Sequence, residues 1–254
     1  VQARDARGTL GPVVSDGIVL DATAPVASAP RITLRAGILG PGARSIPVRV
    51  AWSVADHVSG VVSAQVHADC DGTSLTTGDL GAGRSAPRLS ITGFVDDVLA
   101  PGARCVSSAS AEDAAGNRAD SGDKSVTVRL VQEAPSGAVV YSPGWRPVVS
   151  ATASGGALRT AMALDRWVHF RFDGTQIALV TARGPGRGRV AITIDGVPTA
   201  TVDLGSTTRA SRLVVFRKQL PAGRHTIEVR TMGTVHTPRT GARVDIDGFL
   251  VIGP

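Results

Sequence analysis

The sequence predicts an all-β protein built from two consecutive β-sandwiches, and three observations predict it. Apolar and polar residues alternate in short runs, as in Pro47-Val-Arg-Val-Ala-Trp-Ser53, Val126-Thr-Val-Arg-Leu130, Val190-Ala-Ile-Thr-Ile194 and Thr226-Ile-Glu-Val-Arg230. Period-two alternation marks strands with one buried face. Gly, Pro and Asp cut these runs roughly every 8–12 residues, the spacing of sandwich strands. No stretch carries helical periodicity for more than a turn or two, with residues 155–164 the least patterned.

A chain of 254 residues, 43% hydrophobic, is long enough for one or two packed domains and too apolar for disorder. No apolar run approaches the ~20 residues of a membrane helix, so no membrane span is expected. The formal charge is +6, and only two of the 27 basic residues are lysines.

The elements follow in order. Residues 1–8, Val-Gln-Ala-Arg-Asp-Ala-Arg-Gly, return in outline at 108–117, Ser-Ala-Ser-Ala-Glu-Asp-Ala-Ala-Gly-Asn. We therefore expect residues 1–21 to be the tail of an upstream β repeat. A boundary is expected at 131–143, where a strand gives way to Pro, Gly and Ser, which divides the rest into 22–136 and 137–254. The first 136 residues hold 12 basic and 14 acidic side chains, and the remainder holds 15 and 7. Seven of the nine aromatics also lie after residue 136, which makes the second domain the better candidate for recognition. Within it, Asp195-Gly196 is expected to form a hairpin turn, because both residues tolerate positive φ.

Cys70 and Cys105 are the only cysteines. A disulfide, a metal pair and unrelated thiols are the alternatives. There is no CxxC, and His57 and His67 do not suit a zinc site. A disulfide is the expectation, and it would place the chain outside the cytosol. Asp69, Asp71, Asp79, Asp96 and Asp97 lack EF-hand spacing and read as solvated turn residues.

The segment Ala51-Trp-Ser-Val-Ala-Asp-His-Val-Ser-Gly-Val-Val62, with Ala111-Glu-Asp-Ala-Ala-Gly-Asn117, resembles the immunoglobulin-like or fibronectin-III-like repeats of secreted bacterial proteins. The resemblance implies Trp52 in the core, a turn at 113–117, and a spacer or adhesive role.

In the second domain, Phe170-Arg-Phe-Asp-Gly-Thr-Gln-Ile-Ala-Leu-Val180 precedes Gly184-Pro-Gly-Arg-Gly-Arg-Val190. Leu220-Pro-Ala-Gly-Arg-His-Thr-Ile-Glu-Val229 and Val244-Asp-Ile-Asp-Gly-Phe-Leu-Val251 follow. The series resembles galactose-binding-like jelly rolls that accompany secreted enzymes, including carbohydrate-binding modules. It implies a two-sheet sandwich with a polysaccharide or cell-surface glycan as partner, or one that packs on other domains of the same chain. Members with calcium use an early acid and an acid of the last strand. Asp245 and Asp247 stand at the end, but 139–145 supplies no early acid, so no cofactor is expected. His225 falls at a structural position of that family.

Sugar rings stack on aromatic planes, and their hydroxyls need convergent polar groups. Trp145, in a Pro/Gly-flanked segment, is a candidate exposed platform. Alternation over 167–172 sets Trp167, His169 and Arg171 on one face and Val168, Phe170 and Phe172 on the core face. Shielding of a sandwich edge or junction is the competing role for both tryptophans. Arg183, Arg187 and Arg189 flank a loop, where guanidinium forks would suit carboxylates, sulfates or phosphates. No nucleic-acid partner is expected, because no aromatic row is interleaved with these arginines.

No GxSxG or HExxH motif occurs, and the chain is expected not to be an enzyme. The expectation is an extracellular or cell-surface glycan-binding jelly roll behind an immunoglobulin-like spacer. The alternative is a purely structural or adhesive sandwich pair.

Overall fold

The computed structural model describes residues 4–11, 20–40, 45–76, 87–234 and 242–254. Among these residues there are eighteen strands and no helix, so no helix is long and apolar enough to cross a membrane. The fold class is all-β, as the alternation predicts.

The first half supplies β1 (Val26–Leu34), β2 (Gly37–Ile38), β3 (Ile46–Ala55), β4 (Val61–Cys70), β5 (Thr73–Thr76), β6 (Ser90–Leu99), β7 (Arg104–Asp113), β8 (Arg118–Asp120) and β9 (Lys124–Gln132). The second supplies β10 (Val139–Tyr141), β11 (Arg146–Val149), β12 (Ala157–Ala161), β13 (Trp167–Arg183), β14 (Arg189–Ile194), β15 (Val197–Asp203), β16 (Ala210–Met232), β17 (Val244–Ile246) and β18 (Gly248–Gly253). Residues 155–164, weakly patterned in sequence, thus contain a strand. Strands β1, β3 and β6 form one small sheet, and β11, β12 and β17 form another. The others form one long sheet, ordered β15-β14-β16-β13-β18-β9-β7-β4-β5, with β10, β2 and β8 pairing with β13, β16 and β7.

Each small sheet covers one stretch of the long sheet and closes a core. One core joins Ile32, Leu34, Val48 and Val50 to Ala68, Cys105 and Val128. The other joins Ala161, Val244 and Ile246 to Phe170, Ile192, Ile227 and Val229.

Strands β13 and β18 serve both cores. Ala178, Val180, Leu250 and Ile252 enter the first, whereas their neighbours Ile177, Leu179, Phe249 and Val251 enter the second. A strand covered on both faces needs no polar positions, which explains why Ile177–Val180 and Phe249–Ile252 are unbroken apolar runs. The long sheet crosses from half to half where β18 pairs antiparallel with β9, Leu250 opposite Leu130.

A buried amide adds a second link between the halves. Gln176 donates Nε2 to Ile32 O at 2.8 Å and accepts Leu34 N at 2.9 Å through Oε1. The side chain completes the edge of β1 as a neighbouring backbone would.

Local turn chemistry agrees with the sequence. Asp195 (φ 51°) and Gly196 (φ 79°) make the β14–β15 hairpin, where positive φ at both central positions matches strand twist. Cys70 and Cys105 face each other across β4 and β7 and form a disulfide. Gly93 of β6 lies under the indole of Trp52, and a Cβ there would come within 2.6 Å of Cζ2. Arg4 and Leu10 form an isolated bridge. Residues 1–3 and 12–19, parts of the expected upstream repeat, and Asp79 lie outside the described residues.

Candidate functional site

The long pairing of β13 with β16 places Trp167 opposite Arg230, His169 opposite Glu228 and Arg171 opposite Thr226. Val168, Phe170 and Phe172 on β13 are buried, as are Ile227 and Val229 on β16. Their alternate neighbours therefore share the outer face. Trp167 and His169 are half-buried there, and Arg171 is exposed.

These side chains form a connected set. The Trp167 and His169 rings stack at 4.4 Å with 22° between planes. His169 Nε2 lies 2.5 Å from Glu228 Oε2, and Arg230 donates Nε to Glu228 Oε1 at 2.9 Å. Burial alone would push the Glu228 carboxyl up, but hydrogen bonds from His169 and Arg230 outweigh it and hold it below the usual carboxylate range. An anionic Glu228 accepts hydrogen bonds only, while Arg230 supplies donors. The face thus offers an aromatic plane with an acceptor and donors beside it, the set that a sugar ring with vicinal hydroxyls requires.

Glu228 and Arg230 were not singled out from sequence. The alternation of Thr226-Ile-Glu-Val-Arg230 does place them on the face opposite Ile227 and Val229. What it does not contain is which strand lies alongside.

Trp145 is not the exposed platform that its Pro/Gly flanks suggest. It is 7% exposed, packs edge-on to Tyr141 with ring centroids 5.4 Å apart, and donates Nε1 to Trp167 O at 3.1 Å. A large ring next to the second core gains more from burial than from contact with water.

The arginine loop is also drawn inward. Arg187 pairs with the fully buried Asp245, whose other carboxylate oxygen takes Nε of Arg243 at 3.0 Å. A buried carboxylate without such partners would carry a severe desolvation cost. Arg189 donates Nε to Gly233 O at 3.3 Å, and Arg183 Nε is shielded from solvent. The three arginines do not form one outward fork. Asp245 and Asp247 do not converge on a cation either, since Asp247 Oδ1 accepts Ser154 N at 2.9 Å and Ser154 Oγ at 2.6 Å. His225 bridges Asp195 Oδ2 (2.7 Å) and Pro221 O (2.9 Å) and ties the hairpin to β16.

The residues best arranged to hold a hard cation lie elsewhere. Asp21, Asp56 and Asp113 are all buried, and one carboxylate oxygen from each lies within 4.8 Å of the other two. Oxygen donors of this kind suit Ca²⁺. The same carboxylates also order their loops: Asp56 Oδ1 accepts the amides of Val58, Ser59 and Gly60, and Asp113 Oδ1 accepts those of Ala115 and Asn117. Asp56 and Asp113 sit in the two repeat motifs, whereas Asp21 stands at the end of the 1–21 segment.

No family model matches the chain, and no curated protein matches it. Solved structures do show likeness. A two-domain esterase active on acetylated mannans is 15% identical with a TM-score of 0.39, over 50% of this chain and 36% of its own. A family two carbohydrate esterase from Cellvibrio japonicus is 12% identical with a TM-score of 0.38, over 51% of this chain and 34% of its own. An exo-β-1,3-galactanase from Phanerochaete chrysosporium is 10% identical with a TM-score of 0.30, over 88% of this chain and 69% of its own. The chain thus spans about a third of each esterase's length. All three are enzymes that act on carbohydrates. The expectation of a non-enzyme, drawn from missing motifs, is corrected: lack of those motifs does not exclude catalysis.

Proposed function

We propose that the chain is a glycan-binding β-sandwich protein of bacterial origin, secreted or held at the cell surface. Residues 137–254 form the recognition unit, and residues 22–136 an immunoglobulin-like spacer that follows an upstream repeat at 1–21. The polysaccharide lies along the outer face of β13 and β16. Trp167 stacks on a sugar ring, Glu228 accepts from its hydroxyls, and Arg230 and Arg171 donate. The stacked Trp167–His169 pair, flanked by Glu228 and Arg230, carries the proposal. The disulfide supports the oxidising compartment.

The burial of Trp145 favours a second reading, in which the tryptophans serve packing alone and the chain contacts only other domains. Affinity electrophoresis of the whole chain on mannan, galactan and acidic polysaccharides, repeated with Trp167→Ala, separates the two. Retardation that Trp167→Ala abolishes supports the glycan site. No retardation on any polysaccharide leaves the packing reading.

A further inference from the structure

The basic excess of the sequence is concentrated after residue 136, yet a strongly basic concavity lies between the halves. A cleft of about 370 Å³ opens where β1 runs past β16. Arg35 and Arg49 come from the first half and Arg217 from the second, with Thr33, Gln176 and Gln219 between them. A second compartment of about 330 Å³ adjoins it, bringing Arg31 and Lys124. Gln176 and Gln219 line both, and Arg31 Nη1 donates to Gln219 Oε1 at 3.2 Å across their boundary.

The charge in this groove is poorly compensated. Arg35 and Arg49 share one carboxylate, Asp96, at 3.1 and 2.7 Å. Among the described residues Arg217 forms no ion pair, and no Asp or Glu side chain lines either compartment. Arg217 lies opposite Ala178 of the first core, on the β16 face turned toward β1. The groove is also preformed, because the Gln176 carboxamide clamps β1 to β13 beneath it. Fixed walls remove an ordering cost from binding.

We propose that this groove binds an acidic polysaccharide, its carboxylate or sulfate groups held by Arg217, Arg35 and Arg49. Guanidinium forks match both anions. The remaining wall, Thr33, Ser125, Thr175, Gln176 and Gln219, carries hydroxyls and carboxamides suited to sugar hydroxyls. No aromatic ring lines either compartment among the described residues, whereas a nucleic-acid strand wants rings on which bases stack. The groove is separate from the Trp167 face, so either site can exist without the other.

The test is calorimetric titration of the whole chain with polygalacturonate, chondroitin sulfate, neutral mannan and single-stranded DNA. Arg217→Glu and Lys124→Glu alter exposed side chains at the two compartments and are compared with Trp167→Ala. Binding of polygalacturonate, chondroitin sulfate or both is expected, the preference telling carboxylate from sulfate. It should weaken roughly tenfold or more on raising salt from about 50 to about 300 mM, because partly exposed charges are screened. Arg217→Glu should weaken it by a similar factor, Lys124→Glu less, and Trp167→Ala not at all. Absence of binding to both acidic polymers, binding indifferent to Arg217→Glu, or equal binding of DNA would each overturn the proposal. Loss through Trp167→Ala alone would also overturn it and return acidic-glycan binding to the β13–β16 face.

Discussion

The indole N–H of Trp145 donates to the carbonyl oxygen of Trp167 at 3.1 Å. The buried tryptophan thereby holds the backbone from which the half-buried one projects. The two rings have separable roles, and substitution should split them. Trp145→Phe keeps most of the buried ring and loses the hydrogen bond, costing about 1 kcal/mol, while Trp145→Ala adds a cavity and costs about 3–5 kcal/mol. Trp167→Ala should leave the urea midpoint nearly unchanged and abolish retardation by glycan. A large stability loss from Trp167→Ala would make it a packing residue.

Gln176 satisfies two buried backbone groups of β1 at once. Gln176→Leu keeps the volume but leaves Leu34 N–H and Ile32 C=O without partners, a cost of roughly 2–5 kcal/mol. Gln176→Glu should also destabilise, because a carboxylate cannot donate to Ile32 O. Chemical denaturation of both variants measures this. Near-native stability for Gln176→Leu would show that the halves are held by apolar burial alone.

The strands themselves were legible because alternation is local: Val168, Phe170 and Phe172 are buried where period two places them. The shared wall was legible only in part. Ile177–Val180 and Phe249–Ile252 break the alternation, which signals cover on both faces, but the sequence does not say that two different cores provide it. The site residues depend on partners far along the chain. Trp145 finds its acceptor 22 residues on, and Arg187 finds Asp245 58 residues on. Flanking glycines and prolines look alike whether such a side chain faces water or a core. Composition hid the junction groove for a related reason: dividing the charge by half assigns Arg35 and Arg217 to different units, and only the packing of the first half against β13 and β16 brings them together.

The disulfide closes a 35-residue separation between cross-strand neighbours. In the loop-entropy description such a closure contributes about 3–4 kcal/mol. The Cys70→Ala/Cys105→Ala double variant, whose small side chains fit beside the first core, should lower the unfolding free energy by about that amount. The wild type should show no reactive thiol until reductant is added. Two reactive thiols in untreated, folded protein would overturn the pairing.

His225 joins the β14–β15 hairpin to β16 through Asp195, and the pair should make that corner pH-dependent. The hydrogen bond to Asp195 raises the His225 pKa above its ordinary 6.5 despite partial desolvation, and the same bond lowers that of Asp195 below 3.8. A histidine whose folded pKa is raised contributes its stabilisation fully below the unfolded value, near 6.5. That contribution is lost as pH rises through the folded value. The Asp195 contribution is present above its unfolded value and disappears as pH falls through its depressed folded value. Stability from the pair is therefore greatest between the two ordinary values, in mildly acidic solution. Ring-proton NMR should place the His225 titration above 6.5, and Asp195→Asn should move it back toward the ordinary value while Thr226 N–H retains a side-chain oxygen as acceptor. A titration that Asp195→Asn leaves unmoved would assign the shift to Pro221 O, the other acceptor on the ring.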